Sequence, residues 1–365
     1  MIHMEPWQRN LTINNQPYTF KELLARATEK IVSSETHAWE REVYRFIINW
    51  LSNSEYIQQY SSGTTGKTKE ILLPKKAMMN SAMNTSHYLN LEKGQTALLC
   101  MPVEYIAGKM MVVRCFTGNM NLLLTEPRSL PDLTGHPRID FCAMVPLQVM
   151  NLINCNNTLD PVRKLIIGGS EISTELEKRF YDLATEVYAT YGMAETSSHI
   201  AIKRLNGPFP QQAFQALPGI TLSSDNRGCL IIEADYLPQR VVTNDLVVFT
   251  GPGAFNWIGR YDNLINSGGV KIVPEEVEAL VQTRTLLNCL AIGLPDDHLG
   301  QRLVFVFENE HVPDSLPTMQ ADFDNFLPRH WRPKEIYCVD HFPRNESMKV
   351  DRRKLAEMLT KSTPL

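Results

Sequence analysis

The sequence predicts an α/β fold: a large N-terminal α/β domain with a small β element, followed by a small α+β C-terminal domain. Three observations lead there. Short apolar runs alternate with helix-compatible stretches between Met78 and Ala189. The texture turns to short β-like pieces after Pro208, and the last hundred or so residues carry a helix and strands of their own.

The elements follow in chain order. Met78 to Leu91 is helix-compatible, and Thr96 to Pro102 is an apolar run of the length of a buried strand. The same kind of run recurs at Asn121–Thr125, Phe141–Val145, Lys164–Ile167 and Glu186–Ala189, with Ser173–Ala184 read as a helix between the last two. Gly228–Glu233 and Asp245–Thr250, set apart by Gly, Pro and Asn turns, predict a small antiparallel element. Beyond a polar stretch at Arg260–Asn263 lie a helix from Pro274, whose Glu275 and Glu276 suit a first turn, and strands at Cys289–Ile292 and Leu303–Phe307. The domains are expected at 1–261 and 262–365.

Composition narrows the function classes. The chain has 365 residues, 43% hydrophobic and 21% charged, which is ordinary globular usage. Lys plus Arg is 36 against 40 Asp plus Glu, a net charge of −4, so electrostatics alone gives no reason to expect nucleic acid as a partner. The 7 cysteines form no Cys-x-x-Cys pair, which argues for reduced thiols rather than zinc or a redox dithiol. No apolar stretch reaches the roughly 18 residues of a membrane span, and no leader pattern opens the chain, so a cytoplasmic protein is expected.

Chemistry concentrates first at Tyr60-Ser-Ser-Gly-Thr-Thr-Gly-Lys-Thr-Lys69. Hydroxyls, glycines and lysines at this density suit a loop that wraps phosphate oxygens, although a flexible polar turn has the same composition. The Gly66-Lys67-Thr68 ending is not a Walker loop, because that spacing needs glycine where Ser61 stands.

Further segments follow in a fixed order: Tyr191-Gly-Met-Ala-Glu-Thr196, Thr243-Asn-Asp245, Gly259-Arg-Tyr-Asp262, Asn266 to Glu278, and Met348-Lys-Val-Asp-Arg-Arg-Lys-Leu355. With the glycine-rich loop, this series resembles the adenylate-forming superfamily of acyl-CoA synthetases, luciferases and peptide-synthetase adenylation domains. The resemblance implies activation of a carboxylate with ATP and Mg2+ to an acyl-adenylate, then transfer to a thiol, here CoA.

It also implies roles. Ser61, Ser62, Gly63, Thr64, Thr65, Gly66 and Lys67 would hold the β- and γ-phosphates, and Glu195 would be the Mg2+ ligand. Gly168, Gly169 and Ser170 would line the adenine pocket with Tyr191 and Gly192 beside it. Asp245 would accept from the ribose hydroxyls, and Arg260 would reach ribose and phosphate. Lys349 would be the catalytic lysine of adenylation, carried by a mobile small domain that turns about Asp262 to bring Gly268 and Gly269 in for the thiol. Ala194, Thr68, Glu70, Asn244 and Met348 depart from the family pattern, and none of these changes removes a charge the chemistry needs.

Only about 59 residues precede the loop, so part of the usual N-terminal subdomain is expected to be reduced. That brevity, with Gly108 and Arg114 in Met101–Arg114, is similar to the compact o-succinylbenzoate-CoA ligases of menaquinone biosynthesis, although Tyr105 stands where those have histidine. A dianionic acid needs a cation for its second carboxylate. Arg114 and Lys109 are the candidates, and both also read as ordinary surface cations on a helix. Tyr105, Gly192, Met193, Ser197, Ser198 and His199 would flank the acyl site, and His199 equally suits a structural, hydrogen-bonded role. Alternatives are a CoA ligase for another acid and a nucleotide-binding homologue without turnover. A homodimer is expected only as the common state of soluble enzymes.

Overall fold

The structure, a computed structural model, describes residues 5–62, 68–155, 159–285, 287–308, 322–344 and 350–360. By contacts the chain divides into two units. The first is residues 1–222 with 232–241 and 250–255; the second is 223–231, 242–249 and 256–365.

The first unit opens with β1 (Leu11–Ile13) and β2 (Gln16–Tyr18), joined by Asn14 and Asn15 at φ 48° and 66°. Two left-handed residues in succession make the tight turn that matches strand twist, and asparagine tolerates them. Helices α1 (Phe20–Val32) and α2 (Ala38–Leu51) pack on one another, α1 starting from a reciprocal Thr19–Glu22 capping box. A separate hairpin, β3 (Tyr56–Ser62) and β4 (Thr68–Pro74), leads into α3 (Lys75–Tyr88).

Then comes the alternation predicted above: β5 (Thr96–Leu99), α4 (Ile106–Gly118), β6 (Asn121–Leu124), β7 (Ile139–Met144), α5 (Pro146–Asn154), β8 (Val162–Ile167), α6 (Thr174–Lys178) and β9 (Glu186–Gly192). The strands are parallel in the order β9-β8-β7-β5-β6-β1. Because β5 pairs with both β6 and β7, the winding reverses at its carboxyl end, the place where doubly wound sheets open a crevice for ligands. The β7 strand is buried along its whole length, which is why these strands read as apolar runs rather than alternations. Antiparallel β10 (His199–Arg204) and β11 (Phe214–Ala216) extend the sheet beyond β9.

The chain continues through β12 (Ile220–Ser224), β13 (Cys229–Ala234), β14 (Val241–Gly251) and β15 (Ala254–Arg260), and the division between the units cuts through these strands. The second unit's own sheet holds β16 (Ile265–Ser267), β17 (Val270–Ile272), β18 (Cys289–Asp296) and β19 (Gly300–Glu308), with β20 (Glu335–Val339) parallel to β19. Along β19, Phe305 and Phe307 enter a cluster with Val277 and Val281 of α7 (Pro274–Thr285). Val304 and Val306 point the other way, toward Leu355 and Leu359 of α8 (Arg352–Leu359). A period of two thus feeds a helix on each face.

One element is shorter than expected. The helix read over Ser173–Ala184 ends at Lys178 and gives way to turns. Asn206, buried and distant in sequence, donates from its side-chain amide to Phe180 O (2.9 Å), Leu183 O (3.4 Å) and Thr185 O (2.8 Å). Its amide satisfies carbonyls of the turns that follow the shortened helix. All 7 cysteines are free thiols, Cys155 exposed and Cys338 half-buried, the others buried.

Candidate active site

The β3–β4 hairpin carries the flanks of the glycine-rich segment. Its strands pair from Tyr56↔Pro74 to Ser62↔Thr68, and β4 touches the turn that carries Glu195. Residues 63–67, the centre of the expected phosphate loop, lie outside the described residues, as does Lys349; for Ser61 and Ser62 the backbone alone is described. Lys109 of α4 braces the hairpin, donating to Gln59 Oε1 at 2.6 Å and Gln58 O at 3.2 Å. Burial brings its ammonium down to about 8. It is therefore committed to β3, while Tyr105 stands exposed at the start of α4. Gly108 lets α4 close on the loop before it, since a Cβ there would meet Pro102 O at 2.2 Å.

The carboxyl ends of β8 and β9 supply the next group. Gly168 has no room for a side chain, with Thr190 Oγ1 only 2.4 Å from a Cβ position, and Gly169 takes φ 89°. Ser170 follows, exposed. Tyr191 lies edge-on to Phe255 at 5.2 Å and tilted to Phe214 at 6.0 Å, an aromatic wall at the end of β9.

Gly192 then allows a tight reversal in which residues 194–196 form a single 3-10 turn. Buried Thr196 ties it, its hydroxyl lying 2.6 Å from Ser198 O and accepting from Met193 N at 3.1 Å. Ser197 is buried at φ 65°, a left-handed conformation rare outside glycine and asparagine. The turn presents Glu195, whose carboxylate no hydrogen bond or ion pair engages among the described residues. Those residues contain no cluster of three or more His, Cys, Asp or Glu able to hold a metal alone. A single carboxylate suits Mg2+, which commonly takes one or two carboxylates and completes its shell with phosphate and water.

Arg114 is the unexpected member. Helix α4 is buried nearly all round, and Arg114 is only 2% exposed, with Met110, Met111, Val112, Val113, Cys115 and Phe116 about it. Its Nη2 donates to Ser198 Oγ at 2.9 Å and lies 3.4 Å from His199 Nδ1. Its Nη1 has only Met111 Sδ at 3.8 Å, its Nε has no partner, and Phe141 lies under the guanidinium at 5.9 Å. No carboxylate pairs with it among the described residues, and burial brings even its guanidinium down to about 10. This is not a surface cation. Ser198 and His199, also buried, follow the Glu195 turn directly, so the turn that presents that carboxylate leads into the residues that contact Arg114.

The second unit holds a separate polar group. Thr243 donates to Leu230 O at 2.8 Å and accepts from Asp245 N at 3.0 Å, fixing the backbone at Asp245. Asp245 Oδ1 accepts from Trp257 Nε1 and Arg260 Nη1, each at 3.3 Å, and Arg260 Nη2 donates to Asp262 Oδ2 at 2.8 Å. Trp257 was not singled out in the sequence, because an aromatic in a strand carries no signal of what its indole N–H will reach. Gly268 and Gly269, at φ 60° and 82°, form the two-residue turn between β16 and β17.

Comparison with known proteins adds four findings. The AMP-binding enzyme family matches residues 15–243. The 2-succinylbenzoate–CoA ligase of Bacillus cytotoxicus is 26% identical over 336 residues, covering 82% of this chain and 69% of that protein. Among solved structures, an acyl-CoA synthetase (AMP-forming)/AMP-acid ligase II-like protein from Dyadobacter fermentans is 36% identical, covers 90% of this chain and 97% of its own, and superposes with a TM-score of 0.60. The o-succinylbenzoate CoA synthetase (MenE) of Bacillus subtilis, solved with the acyl-adenylate intermediate OSB-AMP, shares the fold at a TM-score of 0.75 and 17% identity, covering 96% of each chain.

Proposed function

The chain belongs to the AMP-binding enzyme family, and from that premise we propose that it is an ATP- and Mg2+-dependent acid–CoA ligase acting on o-succinylbenzoate in menaquinone biosynthesis. The substrate carboxylate attacks the α-phosphate of ATP and pyrophosphate leaves. The thiol of CoA then attacks the acyl-adenylate carbonyl and AMP leaves, giving o-succinylbenzoyl-CoA. Similarity to 2-succinylbenzoate–CoA ligases supports the acid.

The observation that carries the reading is Arg114. A buried guanidinium with no carboxylate beside it is a costly arrangement unless an anion completes it. The ring carboxylate of o-succinylbenzoate is such an anion, and Arg114 would hold it as a charge-assisted pair while the succinyl carboxylate reacts. Mg2+, when bound, neutralises charge developing on the phosphates, and Glu195 is the residue that would hold it. Tyr191 walls the adenine site beside Gly168 and Gly169. The glycine-rich hairpin supplies phosphate donors, Asp245 accepts from the ribose, and Arg260 reaches ribose and phosphate. Lys349 serves the adenylation step, with Asp262 as the hinge between 1–261 and 262–365 and Gly268–Gly269 serving the thiol step. The cytoplasm and a homodimer complete the reading; among the described residues no helix is long and apolar enough to cross a membrane.

The test is incubation with ATP, Mg2+, CoA and a panel of acids, following pyrophosphate and thioester together. Turnover confined to o-succinylbenzoate and lost in Arg114→Met is expected. Equal turnover of acids lacking the second carboxylate would discard the acid and keep the chemistry. ATP binding with no pyrophosphate from any acid would discard the ligase.

A further inference from the structure

Arg114 does not stand alone. Its Nη2 is 3.4 Å from His199 Nδ1, whose other face lies 2.9 Å from Thr85 Oγ1 on α3, and Thr85 Oγ1 is in turn 3.0 Å from Ser81 O one helical turn back. Relative exposures are 7% for His199, 0% for Thr85 and 1% for Ser81, so solvent does not complete these contacts.

The donors and acceptors along the line from Arg114 to Ser81 O assign one tautomer to His199. A guanidinium can only donate, so His199 Nδ1 must present its lone pair to Arg114, and the ring proton sits on Nε2. A carbonyl can only accept, so the Thr85 hydroxyl proton goes to Ser81 O, leaving a lone pair of Thr85 to receive His199 Nε2–H. Ser198 Oγ, 2.9 Å from Nη2 and 3.5 Å from His199 Nδ1, closes a triangle of the same sense. Burial and the neighbouring guanidinium hold the His199 imidazole well below its usual range, in keeping with a neutral ring. The relay ends on a backbone carbonyl of a helix, a fixed point. At its other end one guanidinium nitrogen is anchored, while Nε has no partner and Nη1 has only a thioether.

Resting on the reading of Arg114 as the grip for the second carboxylate, we propose that Thr85 and His199 are positioning residues that aim Arg114 and thereby set the preference for a dicarboxylate. Neither touches the reacting atoms. A ligand-facing guanidinium held at one nitrogen and on one ring face keeps its fork pointed, and a mis-aimed fork loses the second carboxylate without disturbing the first.

The experiment measures KM and kcat for o-succinylbenzoate and for its analogue lacking the ring carboxylate, in the wild type, Thr85→Val, Thr85→Ser, His199→Gln and Arg114→Met. Thr85→Val keeps the side-chain shape and removes the acceptor for His199 Nε2–H. It is expected to raise KM for o-succinylbenzoate about tenfold, the scale of weakening one hydrogen bond between the Arg114 guanidinium and the second carboxylate, and to leave the analogue's KM and kcat within about twofold of wild type. Thr85→Ser, which restores the hydroxyl, and His199→Gln, whose carbonyl can accept from Arg114 while its amide donates to Thr85, should return most of the preference.

Equal loss on both acids in Thr85→Val would reduce Thr85 to a packing residue and overturn the proposal. A preference lost in Arg114→Met but untouched in Thr85→Val would overturn the relay and leave the proposed acid standing. A wild type that does not distinguish the two acids would remove the proposed acid and the relay together.

Discussion

Asn244 donates from its side-chain amide to both carboxylate oxygens of Asp262, at 3.1 and 3.2 Å. Its carbonyl oxygen accepts from Arg227 Nη1 at 2.9 Å, so the amide is held from both ends. The family pattern has glycine here, and the Asn244 side chain therefore adds a tether to the residue proposed as the hinge. These groups are solvated, and one such bond contributes about 0.5–1 kcal/mol. Asn244→Gly is expected to speed thioester formation from supplied acyl-adenylate about two- to fivefold, the rate equivalent of that bond, with adenylation unchanged. Single-turnover measurement of each half-reaction checks it, and equal changes in both would count against Asp262 as the hinge.

Gly192 sits where β9 turns back into β10, and a Cβ there would lie 2.3 Å from His199 Cα and 2.4 Å from Ser198 O. Those are backbone atoms and cannot swing aside. Gly219 is a useful contrast, because it has φ 76° but open space around its Cβ position. Gly192→Ala should lower unfolding free energy by about 2–3 kcal/mol and abolish turnover, since it displaces the residues beside Arg114. Gly219→Ala should cost about 1 kcal/mol and leave turnover intact. Urea unfolding with a pyrophosphate assay separates the two.

Lys75 is a second fully buried cation, bound by backbone carbonyls, with the charge of Glu5 acting against its burial. Its Nζ donates to Asn49 O at 3.0 Å and Ser52 O at 2.9 Å and lies 5.0 Å from the Trp7 ring. Burial brings its pKa down to about 8 from 10.5. Between those values the unfolded chain binds more protons than the folded one, so this group makes stability rise with pH through that window. Lys75→Met removes that contribution. The unfolding free energy of wild type relative to Lys75→Met should therefore increase by about 1 kcal/mol or more from pH 8 to pH 10. A difference that falls with pH would mean the ammonium is favoured by its site.

Lys349→Ala is expected to slow acyl-adenylate formation by about 10² to 10³, the scale of losing one transition-state donor. Thioester formation from supplied acyl-adenylate should survive. A melting curve of the variant distinguishes loss of chemistry from loss of fold, and equal loss in both half-reactions would remove the assignment.

Much of the parallel sheet was legible because strands buried on both faces are continuous apolar runs, as Phe141–Val145 and Lys164–Ile167 are. The helix over Ser173–Ala184 was overread because what stops it, the amide of Asn206, arrives from more than 20 residues away. Glycine type was informative, since Gly168 has no room beside the Thr190 hydroxyl, Gly169 takes a left-handed φ, and Gly192 meets the backbone of Ser198 and His199. Arg114 was harder. Its burial is implied by six apolar neighbours in Met110–Phe116, a helix stretch without a polar face. Its lack of a carboxylate partner is a three-dimensional fact, and so is the place of Thr85, an ordinary threonine in an ordinary helix.

Ala194 opens the turn that presents Glu195, at the position where the family carries a threonine whose hydroxyl meets the α-phosphate. Its carbonyl already serves the turn by accepting from Ser197 N at 2.9 Å, and its methyl group is half-buried, so the backbone needs nothing from the missing hydroxyl. Restoring that hydroxyl adds a donor toward an anion without removing any contact named above. Ala194→Thr should lower KM for ATP about three- to tenfold, the equivalent of one hydrogen bond to a charged oxygen partly offset by ordering the side chain. KM for CoA should not move. The measurement is initial-rate pyrophosphate release against ATP at saturating acid. An unchanged KM would mean that residue 194 of this chain does not face the α-phosphate, and would weaken the assignment of the neighbouring Glu195 with it.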